Sequence, residues 1–338
     1  MFADLIYFTV FVNLILTIQC YITSHRPKLV IDQDGGADDA MAIFIALLRE
    51  EYFNGPELVA ITTTHGNVNE SQCFINTQRI LDTAKRRDIP IHRGSESAII
   101  KDYPEDNFFG TDGLGDNKNV KYQAIRAEPS HAVFILIELS KKYEGELIVV
   151  TIAPLTNIAL ALKIDPDFIN RLKHIYVGAG TINDAGFPKP EFNALLDVEA
   201  YYILMQSAHP DKVTVLPFSR IKDSMNITTD WRQNVLGKIN TDIMRAQNMF
   251  DQVALPKNPR WHYLDPAVMS VALNNGIVES YKLSKNNITL WGDKRGYNTN
   301  NFTSDQPNVN LVYATSENKY KNFLYETFSA EIPEYNKN

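Results

Sequence analysis

Asp32, Asp34, Asp38 and Asp39 place four carboxylates within eight residues, in the run Asp-Gln-Asp-Gly-Gly-Ala-Asp-Asp. The run sits where an apolar strand gives way to an apolar helix. Leu29, Val30 and Ile31 form a short buried strand, and Gly35-Gly36 breaks it. From Asp38 onward, Met41, Ile43, Phe44, Ala46, Leu47 and Leu48 recur at a spacing that predicts a helix with a wide buried face. A helix start uses one acidic side chain, to accept its free N–H groups and to face the positive end of its dipole. Four crowd negative charge at a cost in repulsion, and a hard cation is the usual compensation. Asp34 and Asp39 flank the turn, so both can converge on one cation above the strand end.

Strands and helices must alternate to hold such a turn in place, and the pattern does so. Strands are expected at 28–31, 58–63, 89–92, 147–151, 174–177 and 213–216, with helices at 38–53, 71–87, 130–143, 157–162 and 198–206 between them. This order predicts an α/β fold: a single Rossmann-like domain with a mostly parallel central sheet and helices on both faces. Beyond residue 216 the alternation loosens into helices near 231–250 and 266–273, strands near 281–290 and 309–313, and a last helix near 317–328. Two long polar loops, 95–129 and 180–195, follow strands and belong at the carboxyl edge of the sheet, where such folds bind ligands.

Of the 338 residues, 44% are hydrophobic and 22% charged, ordinary values for a globular protein. The net charge of −7 argues against a nucleic-acid binder. Leu5 to Ile18 is apolar apart from Thr9, Asn13 and Thr17; it is short for a membrane span and suits a signal-peptide core. We therefore expect residues 1–24 to be a signal peptide and 25–338 the α/β domain, secreted and without stable membrane association. Asp4 and the lack of Lys or Arg ahead of the apolar core leave an uncleaved anchor as the alternative. Sequons at Asn69, Asn226, Asn287 and Asn301 agree with secretion. Cys20 leaves with the signal, so Cys73 stands alone and reads as packing rather than as part of a disulfide framework.

Two acidic motifs are excluded. A calcium-binding EF loop needs a ligand at Gly36, and the phosphatase-type Asp-x-Asp motif needs Thr or Val there. The run instead resembles the signature of the nucleoside hydrolases, Asp-x-Asp-Pro-Gly-x-Asp-Asp-Ala, with Gly35 where proline is usual. Other segments extend the resemblance over nearly all of the mature chain: Ile61 to Val68, the loop Gly110-Thr111-Asp112-Gly113-Leu114-Gly115, Ala153 to Ala159, Glu191-Phe192-Asn193 and Asp265-Pro266. The resemblance implies a Ca²⁺ ion held by Asp34, Asp39, Asp265 and the main-chain carbonyl of Ile152. It implies Asp34 as the general base that deprotonates the attacking water. Asp38, Asn67 and Asn193 would hold the 2′- and 3′-hydroxyls of a ribonucleoside, and Glu191 the 5′-hydroxyl, with Asn183 the nearest substitute for a further family asparagine. Asp32 is left with a supporting hydrogen bond. The resemblance also implies a homodimer or homotetramer.

Three departures stand out. Leu264 occupies the position before Asp265 where relatives carry a histidine that protonates the leaving base, or a tryptophan; it can do neither, which tilts the reading toward purine nucleosides. Ala185 stands at the family asparagine position. Gly35 is expected to loosen the bend after Asp34 while sparing the ligands. The rival function is a catalytically impaired nucleoside- or ribose-binding protein on the same scaffold, motivated by Leu264 and Ala185. His262 reads as a surface residue, and Asp112 as either a base contact or a turn cap.

Overall fold

The computed structural model describes residues 26–117, 121–182 and 189–331; the expected signal segment and Asn183 lie outside them. β1 (Lys28–Gln33) leads through the acidic turn into α1 (Ala37–Tyr52). β2 (Glu57–Thr63), α2 (Glu70–Thr83) and β3 (Ile91–His92) follow. After the first long loop come α3 (Ala132–Lys142), β4 (Leu147–Thr151), α4 (Thr156–Ile164), α5 (Phe168–Arg171) and β5 (His174–Gly178). The chain then forms α6 (Phe192–Leu196), α7 (Val198–Ser207), β6 (Val213–Leu216) and α8 (Phe218–Ser224). A small hairpin-like sheet, β7 (Ile227–Thr228) with β8 (Arg260–Trp261), encloses α9 (Thr229–Asn234) and α10 (Asp242–Phe250). The tail adds α11 (Asp265–Leu273), β9 (Val278–Ile288), β10 (Asn298–Asn301), β11 (Val309–Thr315) and α12 (Glu317–Phe328).

The main sheet runs β10-β9-β11-β6-β5-β4-β1-β2-β3, parallel from β11 to β3, with β9 antiparallel to both β10 and β11. The chain leaves β1 toward β2 and β3, then returns to place β4 on the other side of β1. That reversal makes a switch point between β1 and β4, the crevice where open α/β sheets take ligands. Asp34 follows the end of β1 and Ile152 the end of β4, so the topology alone brings the two together.

Alternation along β1 sends Ile31 into the apolar layer under α1 and Val30 into the layer on the opposite face, as a sheet covered on both sides requires. Helix α1 is buried on nearly every side, between the sheet and α10, α11 and α12. Each fully buried side chain such as Phe44 or Ile45 contributes about 1.5–3 kcal/mol. β1 extends past residue 31 because Asp32 is fully satisfied inside the sheet: its carboxylate accepts from Thr62 Oγ1 at 2.6 Å and Asn157 Nδ2 at 2.8 Å. Three short helices went unread in the sequence: α5 before β5, α6 inside the second expected loop and α8 after β6. All are short, and no apolar period of useful length marks them. Among the described residues, no helix is long and apolar enough to cross a membrane.

Candidate active site

Asp39 meets the ordinary need of a helix start. Its Oδ2 accepts the Gly36 N–H at 2.7 Å and its Oδ1 the Asp34 N–H at 3.1 Å, closing the turn between β1 and α1. The other carboxylates are surplus to that need. Asp265 opens α11, which lies against α1, and oxygens of Asp38, Asp39 and Asp265 all fall within 4.8 Å of one another. Asp34 lies on the other side of Asp39, its Oδ2 accepting the Asn67 N–H at 2.9 Å. With the Asn67 amide turned so that its NH₂ faces the acids, Nδ2 stands 3.1 Å from Asp34 Oδ1 and 3.3 Å from Asp39 Oδ2. A Cβ on Gly66 would fall 1.8 Å from Asp34 Oδ2, so only glycine lets the backbone after β2 approach that carboxylate.

The turn itself is not a loosened proline turn. Gly35 has φ +87°, outside the range a proline ring permits, and its N–H donates to Gln33 Oε1 at 2.9 Å. The bend is clamped from two sides: Asn76 Nδ2 donates to the Gly35 carbonyl at 2.7 Å, and Gln247 Nε2 donates to the Ala37 carbonyl at 2.8 Å. The expected loss of restraint at Gly35 is therefore corrected: side chains of α2 and α10 supply it.

On the far wall, Asn193 Nδ2 donates to the carbonyls of Ile152 at 3.2 Å and Gly178 at 2.9 Å, which leaves its amide oxygen for a ligand. Glu191 caps α6: Oε1 accepts the Asn193 N–H at 3.0 Å, and Oε2 accepts from Gly180 at 2.7 Å and Ala194 at 3.0 Å. Its carboxylate thus builds the wall that carries Asn193. Asp112 takes the structural reading, buried in an ion pair with Arg79 at 3.0 Å and accepting the Leu114 N–H at 2.9 Å. His65 Nε2 lies 3.1 Å from Thr156 Oγ1, again a structural contact.

Burial pushes Asp34 well above the usual carboxylate range, and the charge of Asp39 adds to it. Asp265 is raised in the same way, by burial and then by Asp38 and Asp39. Asp38 is raised by burial and by Asp39; the residue is partly exposed, but its Oδ1 is buried without a hydrogen-bond partner. Asp39 is pushed up to about 6 by burial, against the pull of its N–H donors. Four acids that resist ionisation, one with an orphaned oxygen, fit a site built for a cation. An all-oxygen donor set suits a hard one.

The pH dependence follows in sign. Asp39 carries a folded-state pKa near 6 against an ordinary 3.8, so its favourable contribution without a cation is complete below 3.8 and is lost as pH rises through 6. Metal-free protein should lose stability across that window, and a divalent cation should restore it at neutral pH. Thermal melts with and without chelator check this. We expect a cation-dependent rise in Tm at roughly pH 7.5 that disappears by roughly pH 4.5; an equal rise at both would contradict the assignment.

A group of aromatic rings lies near the acids, Tyr263 within range of the Asp38 charge. Phe109 meets Tyr263 edge-on with centroids 5.3 Å apart, and Tyr263 lies 5.3 Å from Trp261, which stacks on Tyr320 at 6.3 Å. Among the described residues, Trp261 Nε1 and Tyr320 Oη are buried without hydrogen-bond partners, at about 1–3 kcal/mol each, and the Tyr263 hydroxyl faces only Asp251 at loose geometry. Burial, then the charges of Asp251 and Asp38, hold the Tyr263 hydroxyl well above the ordinary tyrosine range. Beside these rings lies an ion pair absent from the sequence reading, Arg232 to Asp251 at 2.6 Å, fully buried. Leu264 is buried in the core against α1, and a Cβ on Gly178 would come within 3.5 Å of it. His262 is half-buried rather than a free surface residue, with Nε2 2.8 Å from Asn226 Oδ1.

Among known proteins, the chain is 37% identical over 182 residues to a probable uridine nucleosidase 2 of Arabidopsis thaliana, covering 52% of this chain and 54% of that one. It spans about half the length of the curated relatives it matches. Among solved structures it superposes on an inosine-guanosine nucleoside hydrolase with a TM-score of 0.81 at 24% identity, covering 90% of this chain and 98% of the other. A purine-preferring ribonucleoside hydrolase from Gardnerella vaginalis gives 0.79 at 24% identity, with 90% and 100% covered; at this identity both likenesses speak for the fold alone. The model of the inosine-uridine preferring nucleoside hydrolases matches residues 29–322, from the first strand into the first half of the last helix. With the acidic turn, its asparagines and Asp265 gathered at the β1/β4 switch point, the chain belongs to the inosine-uridine preferring nucleoside hydrolase family.

Proposed function

We propose that this protein hydrolyses the N-glycosidic bond of ribonucleosides, favouring purine nucleosides, to give a free base and ribose. The observation that carries the reading is the convergence of Asp34, Asp38, Asp39 and Asp265 with Asn67 in one buried site of a chain of this family. Asp34, Asp39, Asp265 and the Ile152 carbonyl would hold Ca²⁺, and the structure offers Asp38 as a further oxygen beside them. A bound cation would fix the attacking water and lower its pKa.

Asp34 takes the water's proton, a role suited to a carboxylate held beside the cation site by the Asn67 N–H at 2.9 Å. Asp38, Asn67 and the free amide oxygen of Asn193 hold the ribose hydroxyls, with Glu191 and Asn183 serving the 5′ end. The sugar becomes oxocarbenium-like as the bond breaks, and the surrounding carboxylates stabilise that positive charge in place.

The names of relatives point to uridine in one case and purines in another; the purine preference rests on Leu264, which supplies no proton to a pyrimidine leaving group. Base release from inosine, guanosine, adenosine and uridine, assayed with calcium, tests both levels. No release from any of the four would sink the hydrolase reading, and uridine turning over faster than inosine would overturn the preference.

The reading includes secretion after loss of residues 1–24, and a homodimer or homotetramer. Asn69 and Asn301 are exposed and suited to glycosylation, whereas Asn226 and Asn287 are partly buried. N-terminal sequencing and mass measurement of protein recovered from a culture medium check these points.

A further inference from the structure

We propose that the Tyr263 hydroxyl donates the hydrogen bond that steadies the departing base, filling the role that Leu264 leaves vacant. This rests on the reading that the chain hydrolyses ribonucleosides. Tyr263 is only 6% exposed, and its hydroxyl makes no well-formed hydrogen bond among the described residues, facing only the Asp251 carboxylate at loose geometry. The carboxylate it faces, Asp251, already accepts from Arg232 Nη2 at 2.6 Å and Gln247 Nε2 at 3.1 Å, two well-formed bonds with which the hydroxyl competes.

Asp38, with an orphaned Oδ1, also faces Tyr263. An unpartnered oxygen at the acidic cluster and a loosely held hydroxyl among the aromatic rings suit a single ligand with two ends, a polyhydroxylated sugar and a heteroaromatic base. The Tyr263 ring also lines a cavity of about 210 Å³ in which the flat rings of Phe108, Phe218 and Trp261 stand beside the polar side chains of Lys222, Asn258 and Arg260, a mixed lining that suits a heteroaromatic ring. His262 lines the same cavity, but Asn226 pins its ring, and the charges around it are those of Lys222 and Arg260 rather than the acids.

The chemistry balances without a further reactant. The C1′–N bond breaks with its electron pair on the base, water supplies a hydroxyl to C1′ and a proton to the base, and the tyrosine remains an unchanged hydrogen-bond donor throughout. Its contribution should therefore scale with how badly the leaving group needs help.

Tyr263→Phe compared on inosine and on p-nitrophenyl riboside reads this directly, because the aryl leaving group departs as a stable anion. We expect kcat on inosine to fall about 100-fold and kcat on the aryl riboside to change less than about threefold. Tm should fall little, since Arg232 and Gln247 still satisfy Asp251 when the hydroxyl is gone. Equal losses on both substrates, or no loss on inosine, would overturn the proposal, as would a selective loss in His262→Ala with Tyr263→Phe unaffected. Wild-type protein inactive on both ribosides would refute the hydrolase reading itself, an outcome separate from these.

Discussion

Asp34→Asn should lower kcat by about 10²–10⁴-fold while leaving the protein folded. The substitution keeps an oxygen to accept the Asn67 N–H, 2.9 Å from Asp34 Oδ2, so the loop after β2 stays docked. It removes the charge and the basicity, and turns the acceptor 3.1 Å from Asn67 Nδ2 into a donor, which the Asn67 amide meets by turning its oxygen toward it. Without a cation the variant should be at least as stable as wild type at neutral pH, because burial and the charge of Asp39 make an ionised Asp34 costly there. The advantage should shrink as pH falls and the wild-type carboxyl takes up its proton. Steady-state rates on inosine paired with melts in chelator test the two halves separately. Retained turnover would remove Asp34 from the base role, and a strongly destabilised metal-free variant would show it to be a structural acid.

Gly35→Pro restores the residue usual in the family signature, and we expect it to damage this protein. Proline holds φ near −65°, whereas Gly35 sits at +87°. The ring would also remove the N–H that donates to Gln33 Oε1, and a Cβ here would stand 2.8 Å from the Cys73 Cα of α2. The cost should be about 3 kcal/mol or more, with activity falling further because Asp34 and Asp39 lie on either side of the bend. Gly35→Ala should cost less, about 1–2 kcal/mol of left-handed strain plus its close contact. Chemical denaturation ranks the three proteins. A proline variant equal to wild type in midpoint and rate would mean that the turn adopts a proline-compatible form.

Much of the fold was legible because it depends on local periodicity. The apolar runs of β1, β2, β4, β5 and β6 are largely buried strands, and the helices between them carry their own spacing. Boundaries slipped where a polar side chain belongs to a strand by virtue of a distant partner, as Asp32 does through Thr62 and Asn157. Short elements such as α6 and β8 have too few residues to show a period.

The sugar half of the site was legible for the same reason. Asp34, Asp38 and Asp39 lie within one turn, and a short motif records its own geometry. The sequence by itself therefore determined the α/β class, the acidic turn and the family. Only the tertiary structure decided what surrounds them. It made Asp39 the helix cap and brought Asp265 from α11 to the cluster. It also spent Glu191 on backbone N–H groups and set Tyr263 beside a buried Arg232–Asp251 pair. These are contacts between segments far apart in the chain. Their energies come from burial and pairing across elements, and no local spacing encodes them.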